Sequence, residues 1–142
     1  MRIVESFVTS AQPETIWKVL ADVEHWHEWT PTVLSIKPLG NVGFGVGARY
    51  QVAQPKLRPA VYEVTEYVPC RRFTWIQRFP GGVLIADHRI TQRGGNAEVV
   101  LSFSSSGLLG NIAGKLFCRL IGNYVRTEAQ SLKNRCDLLA QS

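Results

Sequence analysis

The sequence predicts an α+β fold: a curved antiparallel sheet of about six or seven strands wrapped around a long C-terminal helix, with two short helices after the first strand. Three observations predict it. Between residues 32 and 106, apolar and polar side chains alternate in short runs broken at Pro and Gly. From Leu108 to Ala140 there is no proline, and apolar residues recur at helical spacing. The order, strands first and one long helix last, leaves a large sheet with a single element able to cover it. A strongly curved sheet cannot close on one helix along its whole length, so an apolar cavity between them is expected.

Residues 2–10 alternate as a first strand, with Ile3, Glu5 and Phe7 on one face and Val4, Ser6 and Val8 on the other. Pro13 suits the first position of a helix, where its missing N–H costs nothing. Glu14 favours the dipole of the same turn. Ile16, Trp17, Leu20 and Ala21 supply its apolar stripe. Asp22–Trp29 forms a second short helical turn or loop, ended by Pro31. Val33, Leu34 and Ile36 begin the sheet region. Runs at 49–53, 60–68, 71–79, 83–92 and 98–105 follow. Pro80-Gly81-Gly82 and Gly94-Gly95-Asn96 read as hairpin turns, so the sheet is a meander. On the long helix Lys115, Arg119, Arg126 and Lys133 share one face. Phe117, Leu120, Ile121, Tyr124, Val125, Leu132 and Leu139 lie opposite. About 30 residues make it roughly 45 Å long.

The 142 residues suit one domain, 1–142. Cys70, Cys118 and Cys136 are odd in number and widely spaced, which argues against a disulfide framework and a zinc site. A reducing compartment fits, the N-terminus lacks a signal-peptide pattern, and a cytoplasmic location is expected. The net charge of +5 is modest and spread along the chain, so nucleic acid is not the expected partner. No phosphate-cradling loop or Gly-x-Ser-x-Gly motif appears, and no cofactor is expected.

Several short motifs fall in a recognisable order. Ala11-Gln12-Pro13-Glu14-Thr15-Ile16-Trp17 opens a helix. Asp22 and Trp26-x-x-Trp29-x-Pro31 follow, then Val68-Pro69-x-x-x-Phe73-x-Trp75, and finally Glu128-Ala129-x-x-Leu132-Lys133. Over nearly its whole length the chain resembles the START-like helix-grip superfamily (SRPBCC), in particular the polyketide cyclase/dehydrase and lipid-transport family. The resemblance implies a ligand cavity and leaves the ligand open, because that group includes lipid carriers, quinone-binding proteins, aromatase/cyclases and hormone-binding proteins.

Candidate ligand-binding residues are Trp26, Trp29, Tyr50, Trp75, His88, Phe103, Phe117, Ile121 and Tyr124. Trp26 and Trp29 either line the cavity mouth or, the preferred reading, plug the helix–sheet corner. Trp75 shares a face with Phe73, Gln77 and Phe79, while Arg72 and Arg78 mark the opposite face as solvent, so Trp75 points inward. By the same parity His88 faces inward with Ala86 and Ile90. It is either a hydrogen-bonded core histidine or a general base. Glu128 sits mid-face among apolar residues. It is either half of a salt bridge, to Arg135 or a sheet arginine, or a partner of His88 or of a ligand hydroxyl. Gly114 and Gly122 leave room for a ligand or permit close packing. Gly43–Gly47 resembles a mobile lid. His25 and His27 read as a solvated loop, and no metal is expected.

The expected function is binding of a small hydrophobic molecule such as a lipid, quinone or polyketide. One alternative is a cyclase or dehydratase using proton transfer by His88 with Glu128 or Tyr124. Another is an interaction protein with a collapsed cavity. The protein is expected as a monomer or homodimer. The basic helix face reads as solvated, or less favourably as transient contact with an anionic membrane surface.

Overall fold

A computed structural model describes residues 1–142. The chain runs β1 (Arg2–Thr9), α1 (Pro13–Ala21), a 3₁₀ turn (Val23–Glu28), β2 (Ser35–Pro38) and β3 (Arg49–Ala53). It continues through β4 (Ala60–Val68), β5 (Arg72–Phe79), β6 (Gly82–Arg93), β7 (Asn96–Ser106) and α2 (Leu108–Ala140). All seven strands form one antiparallel sheet in the order β1-β7-β6-β5-β4-β3-β2. The meander, both hairpins and the long helix match the sequence expectation. The strand expected from Val33 starts only at Ser35. Thr32 N–H donates to Thr30 Oγ1 at 3.3 Å, and the two hydroxyls lie 2.9 Å apart, which holds this stretch as a turn.

The helix covers only part of the sheet. α2 packs on β1, β7 and β6 and buries Ile121, Val125, Ala129, Leu132 and Cys136. The β3–β5 side curls away from it. Phe117 and Leu139, expected on the buried face, are 44% and 38% exposed: Phe117 stands over the part of the sheet that curls away from the helix, and Leu139 lies in the last turn of α2, beyond the buried Cys136.

Glycines decide how the helix starts. The β5–β6 turn, Pro80-Gly81, presents its Gly81 carbonyl to the Leu109 N–H at 2.9 Å. A Cβ on Gly82 would stand 2.4 Å from the Gly110 nitrogen. The hairpin and the first turn of α2 therefore meet backbone to backbone, and only glycine permits that approach. Gly114 serves the same end. A Cβ there would lie 2.9 Å from Ser105 Oγ and 3.2 Å from Met1 Cβ, so its role is close packing.

Candidate functional site

Between α2 and the curled-away strands lies a cavity of about 560 Å³. Strands β4 to β7 supply its wall through Tyr62, Trp75, Gln77, His88, Leu101 and Phe103. α2 closes the other side with Phe117, Ile121, Tyr124 and Glu128, and Trp26 reaches in from the 3₁₀ turn. The β3–β4 loop adds Lys56, Leu57 and Arg58. Lys56, Arg58 and Phe117 are exposed as well as lining, so the cavity opens to solvent between this loop and the helix. The Tyr124 hydroxyl donates to the Pro55 carbonyl and straps loop to helix at that opening.

Strand parity places the wall residues. On β5, Trp75 (4% exposed) turns inward, and on β6 His88 (3% exposed) does the same. Their neighbours face outward. Asp87 accepts hydrogen bonds from Arg72 Nε (2.9 Å), Thr74 Oγ1 (2.6 Å) and Arg89 Nε (2.8 Å) on the convex face. These donors hold its carboxyl below the usual range, although its partial burial pulls the other way.

The His88 ring is locked in place. It stacks on Phe73 with centroids 4.1 Å apart and planes 13° apart, and the Trp26 ring meets it edge-on at 5.5 Å. Trp26 is itself pinned by its Nε1–H, which donates to the Leu20 carbonyl at 3.0 Å. Nδ1 of His88 lies 3.2 Å from the Phe73 carbonyl oxygen. A carbonyl only accepts, so in the neutral ring Nδ1 carries the hydrogen and Nε2 holds a bare lone pair. Burial keeps the ring neutral, lowering its pKa to about 4 against smaller opposing effects of the Phe73 carbonyl and Asp87.

Glu128 Oε1 lies 3.8 Å from that Nε2. The expected salt bridge to an arginine is not what the structure shows. No lysine or arginine nitrogen comes within 4 Å of Glu128; the one basic side chain at that range is His88. Arg135 instead lines a shallow groove with Lys18, Asp22 and Trp29. The helical wheel placed Glu128 and Arg135 on one side of α2, but two turns of rise carry Arg135 beyond the cavity. Without a cation, burial pushes the Glu128 pKa up to about 7.

Seven of the nine candidate ligand residues line the cavity: Trp26, Trp75, His88, Phe103, Phe117, Ile121 and Tyr124. Trp29 and Tyr50 do not. Trp29 faces the groove beside Arg135, although its ring lies 5.5 Å from Trp26. Tyr50 (3% exposed) is packed between Phe44 and Trp75. The glycine loop around Gly43–Gly47 is no lid. It lies at the end of β3 remote from the opening, where Phe44 wedges against Tyr67 and Phe73. The hydroxyl of Tyr124, proposed to assist a proton transfer, is spent on Pro55. Sequence reading missed Tyr62, the direct cross-strand partner of Tyr50. The Tyr62 ring lies tilted against Trp75, centroids 5.3 Å apart, and burial with the nearby Glu128 charge raises its pKa. The signal was available: its parity matches Val64, which pairs with Trp75. Outside the cavity, His25 Nδ1 lies 2.8 Å from Asp22 Oδ1 in an exposed pair.

The same architecture recurs in solved structures. A START superfamily protein from Mycobacterium smegmatis superposes with TM-score 0.74 at 17% identity, covering 97% of this chain and 98% of that one. A hypothetical protein from Helicobacter pylori reaches TM-score 0.80 at 12% identity, over 96% and 88% of the two chains. The di-domain ARO/CYC BexL of the BE-7585A biosynthetic pathway matches with TM-score 0.75 at 14% identity. There all of this chain corresponds to 48% of that one. At these identities the likeness is one of fold. No curated protein matches the sequence. The family model for polyketide cyclase / dehydrase and lipid transport matches residues 1–137, and with the seven-stranded sheet gripping its C-terminal helix, the chain belongs to that family.

Proposed function

We propose that the protein binds a small hydrophobic molecule in the cavity between sheet and helix. The observation that carries this reading is the wall itself: 17 of its 25 residues are hydrophobic, and its volume suits a small organic ligand. A ligand hiding about 200 Å² of apolar surface there gains roughly 5 kcal/mol. Native mass spectrometry of freshly purified protein, followed by extraction, tests it. A defined co-purified small molecule, or saturable uptake of the dye ANS when the protein is empty, is the expected result. Absence of both would sink the reading and favour a collapsed cavity.

An acid and a base facing each other across the cavity, Glu128 and His88, also support a proton-transfer enzyme. His88→Ala distinguishes the two readings. It abolishes turnover in an enzyme and only weakens binding in a carrier.

The exposed first turns of α2, which reach the cavity at Phe117, suit an anionic membrane surface. Leu108, Leu109, Ile112, Leu116 and Phe117 are exposed along the first ten residues of α2. Lys115 and Arg119 flank them, and no acidic residue occurs between Gly107 and Thr127. Apolar side chains beside cations bind such surfaces. No helix is long and apolar enough to cross a membrane. Co-sedimentation should favour phosphatidylglycerol vesicles over phosphatidylcholine vesicles. Leu116→Glu should weaken it about fivefold, since one charge in the contact is worth about 1 kcal/mol. Equal binding to both vesicle types would refute the contact.

A further inference from the structure

Resting on the carrier reading, we infer that the ligand bears a hydroxyl group on its hydrophobic body, seated between His88 Nε2 and Glu128. There it donates to the imidazole and accepts from the carboxylic acid.

His88 Nε2 is an acceptor with no hydrogen-bond partner, on a side chain only 4% exposed. It is not sealed in, because no side-chain nitrogen or oxygen is both fully enclosed and unpaired. It opens onto the cavity, of whose wall His88 is part. A buried acceptor of this kind awaits a donor. Across from it stands Glu128, kept protonated by burial up to about neutral pH and therefore able to donate.

The separation selects the size of the group. At 3.8 Å the two atoms are too far apart to bond directly. An oxygen about 2.8 Å from each fits between them, seeing them at roughly a right angle. One oxygen that both donates and accepts completes a directional chain, from Glu128 O–H to ligand oxygen and from ligand O–H to Nε2.

Other groups fit worse. A carbonyl or ether oxygen accepts from Glu128 but sets its lone pair against that of Nε2. A carboxylate meets the same lone pair and carries a charge into an apolar cavity. An ammonium requires Glu128 to ionise there. The charged groups that approach the site do not change this. Lys56 and Arg58 stand exposed at the mouth, Asp87 is turned to the convex face among Arg72 and Arg89, and the Tyr124 hydroxyl is held by Pro55. Tyr62 adds a second neutral hydroxyl on the same wall. The aromatic wall buries the rest of the ligand while the polar couple keeps its one polar atom bonded, which favours a ligand hydroxyl there over bulk water.

Titration at pH 6 with 2-naphthol, 2-methoxynaphthalene and 2-methylnaphthalene tests this without any substitution. 2-Naphthol should bind about 10-fold or more tighter than 2-methylnaphthalene, from two neutral hydrogen bonds. 2-Methoxynaphthalene, which cannot donate, should lose most of that advantage. In the double variant His88→Phe, Glu128→Leu, the three probes should bind within about threefold of one another. Equal wild-type affinities for all three would overturn the hydroxyl assignment and leave the carrier reading intact. If no probe binds, ANS included, the carrier reading falls and the hydroxyl assignment falls with it.

Discussion

Phe73→Ala is expected to cost about 4 kcal/mol of unfolding free energy, the middle of the range for a buried aromatic. Phe73 is fully buried and stands at the centre of the aromatic core. Its ring touches Phe44 at 5.1 Å and Trp75 at 5.5 Å, reaches Trp17 and Trp26 at 6.2 Å each, and stacks on His88. Most of these neighbours are large rings tied to different elements, so they cannot all slide into the space that alanine leaves. The loss is read from urea denaturation at pH 7, as a shift in midpoint with unchanged slope. Because Phe73 also supports the His88 ring, ligand affinity should fall in the same variant. A loss under about 1.5 kcal/mol would mean that the core collapses around the site, and that the aromatic packing is loose.

Opposite pH slopes are expected when His88 and Glu128 are replaced singly. In the unfolded chain Glu titrates near 4.5 and His near 6.5; in the folded protein burial moves Glu128 to about 7 and His88 to about 4. Between roughly pH 4.5 and 6.5 the unfolded pair holds one proton on His, and the folded pair holds one on Glu. Folding transfers the proton without net uptake, so the pair contributes almost no pH dependence there. Glu128→Gln leaves His88 alone with its lowered pKa. The contribution of that buried neutral ring to stability then rises by about 3 kcal/mol from pH 4 to 6.5. His88→Phe leaves Glu128 alone with its raised pKa, and stability falls by about 3 kcal/mol from pH 4.5 to 7. Above pH 7 the wild type carries a buried carboxylate, so Glu128→Gln should then be the more stable protein. Denaturation of wild type and both variants at pH 5, 6.5 and 8 reads this as differences, which cancels the other carboxylates. A Glu128→Gln variant destabilised at pH 8 would restore the salt-bridge role for that residue.

Strand parity and helix period are local properties, and they were legible. The runs at 49–53 and 60–68 and the helix 108–140 coincide with β3, β4 and α2. Parity alone turns Trp75 and His88 inward, because alternate side chains must leave opposite faces of a strand. Parity does not say where along a strand the cavity begins. Tyr50 and Tyr62 are cross-strand partners on one face, yet only Tyr62 reaches the cavity. Tyr50 is covered by Phe44, whose position depends on how the β2–β3 loop folds back over the sheet.

The Glu128 environment shows the same division. A wheel puts the carboxylate on the covered face, and that is a matter of 100° per residue. Which group it meets depends on how the sheet curls against the helix, and the curl brings His88 rather than an arginine to 3.8 Å. Which residues form strands and helices, and which face each presents, follows from local repeats of two and 3.6 residues. The tertiary structure alone decided the end at which the cavity opens, the loop that rims it, and the pairing of one acid with one base inside it. Those depend on distances between residues far apart in the chain, set by the sheet's curvature and by the glycine contact that seats the helix.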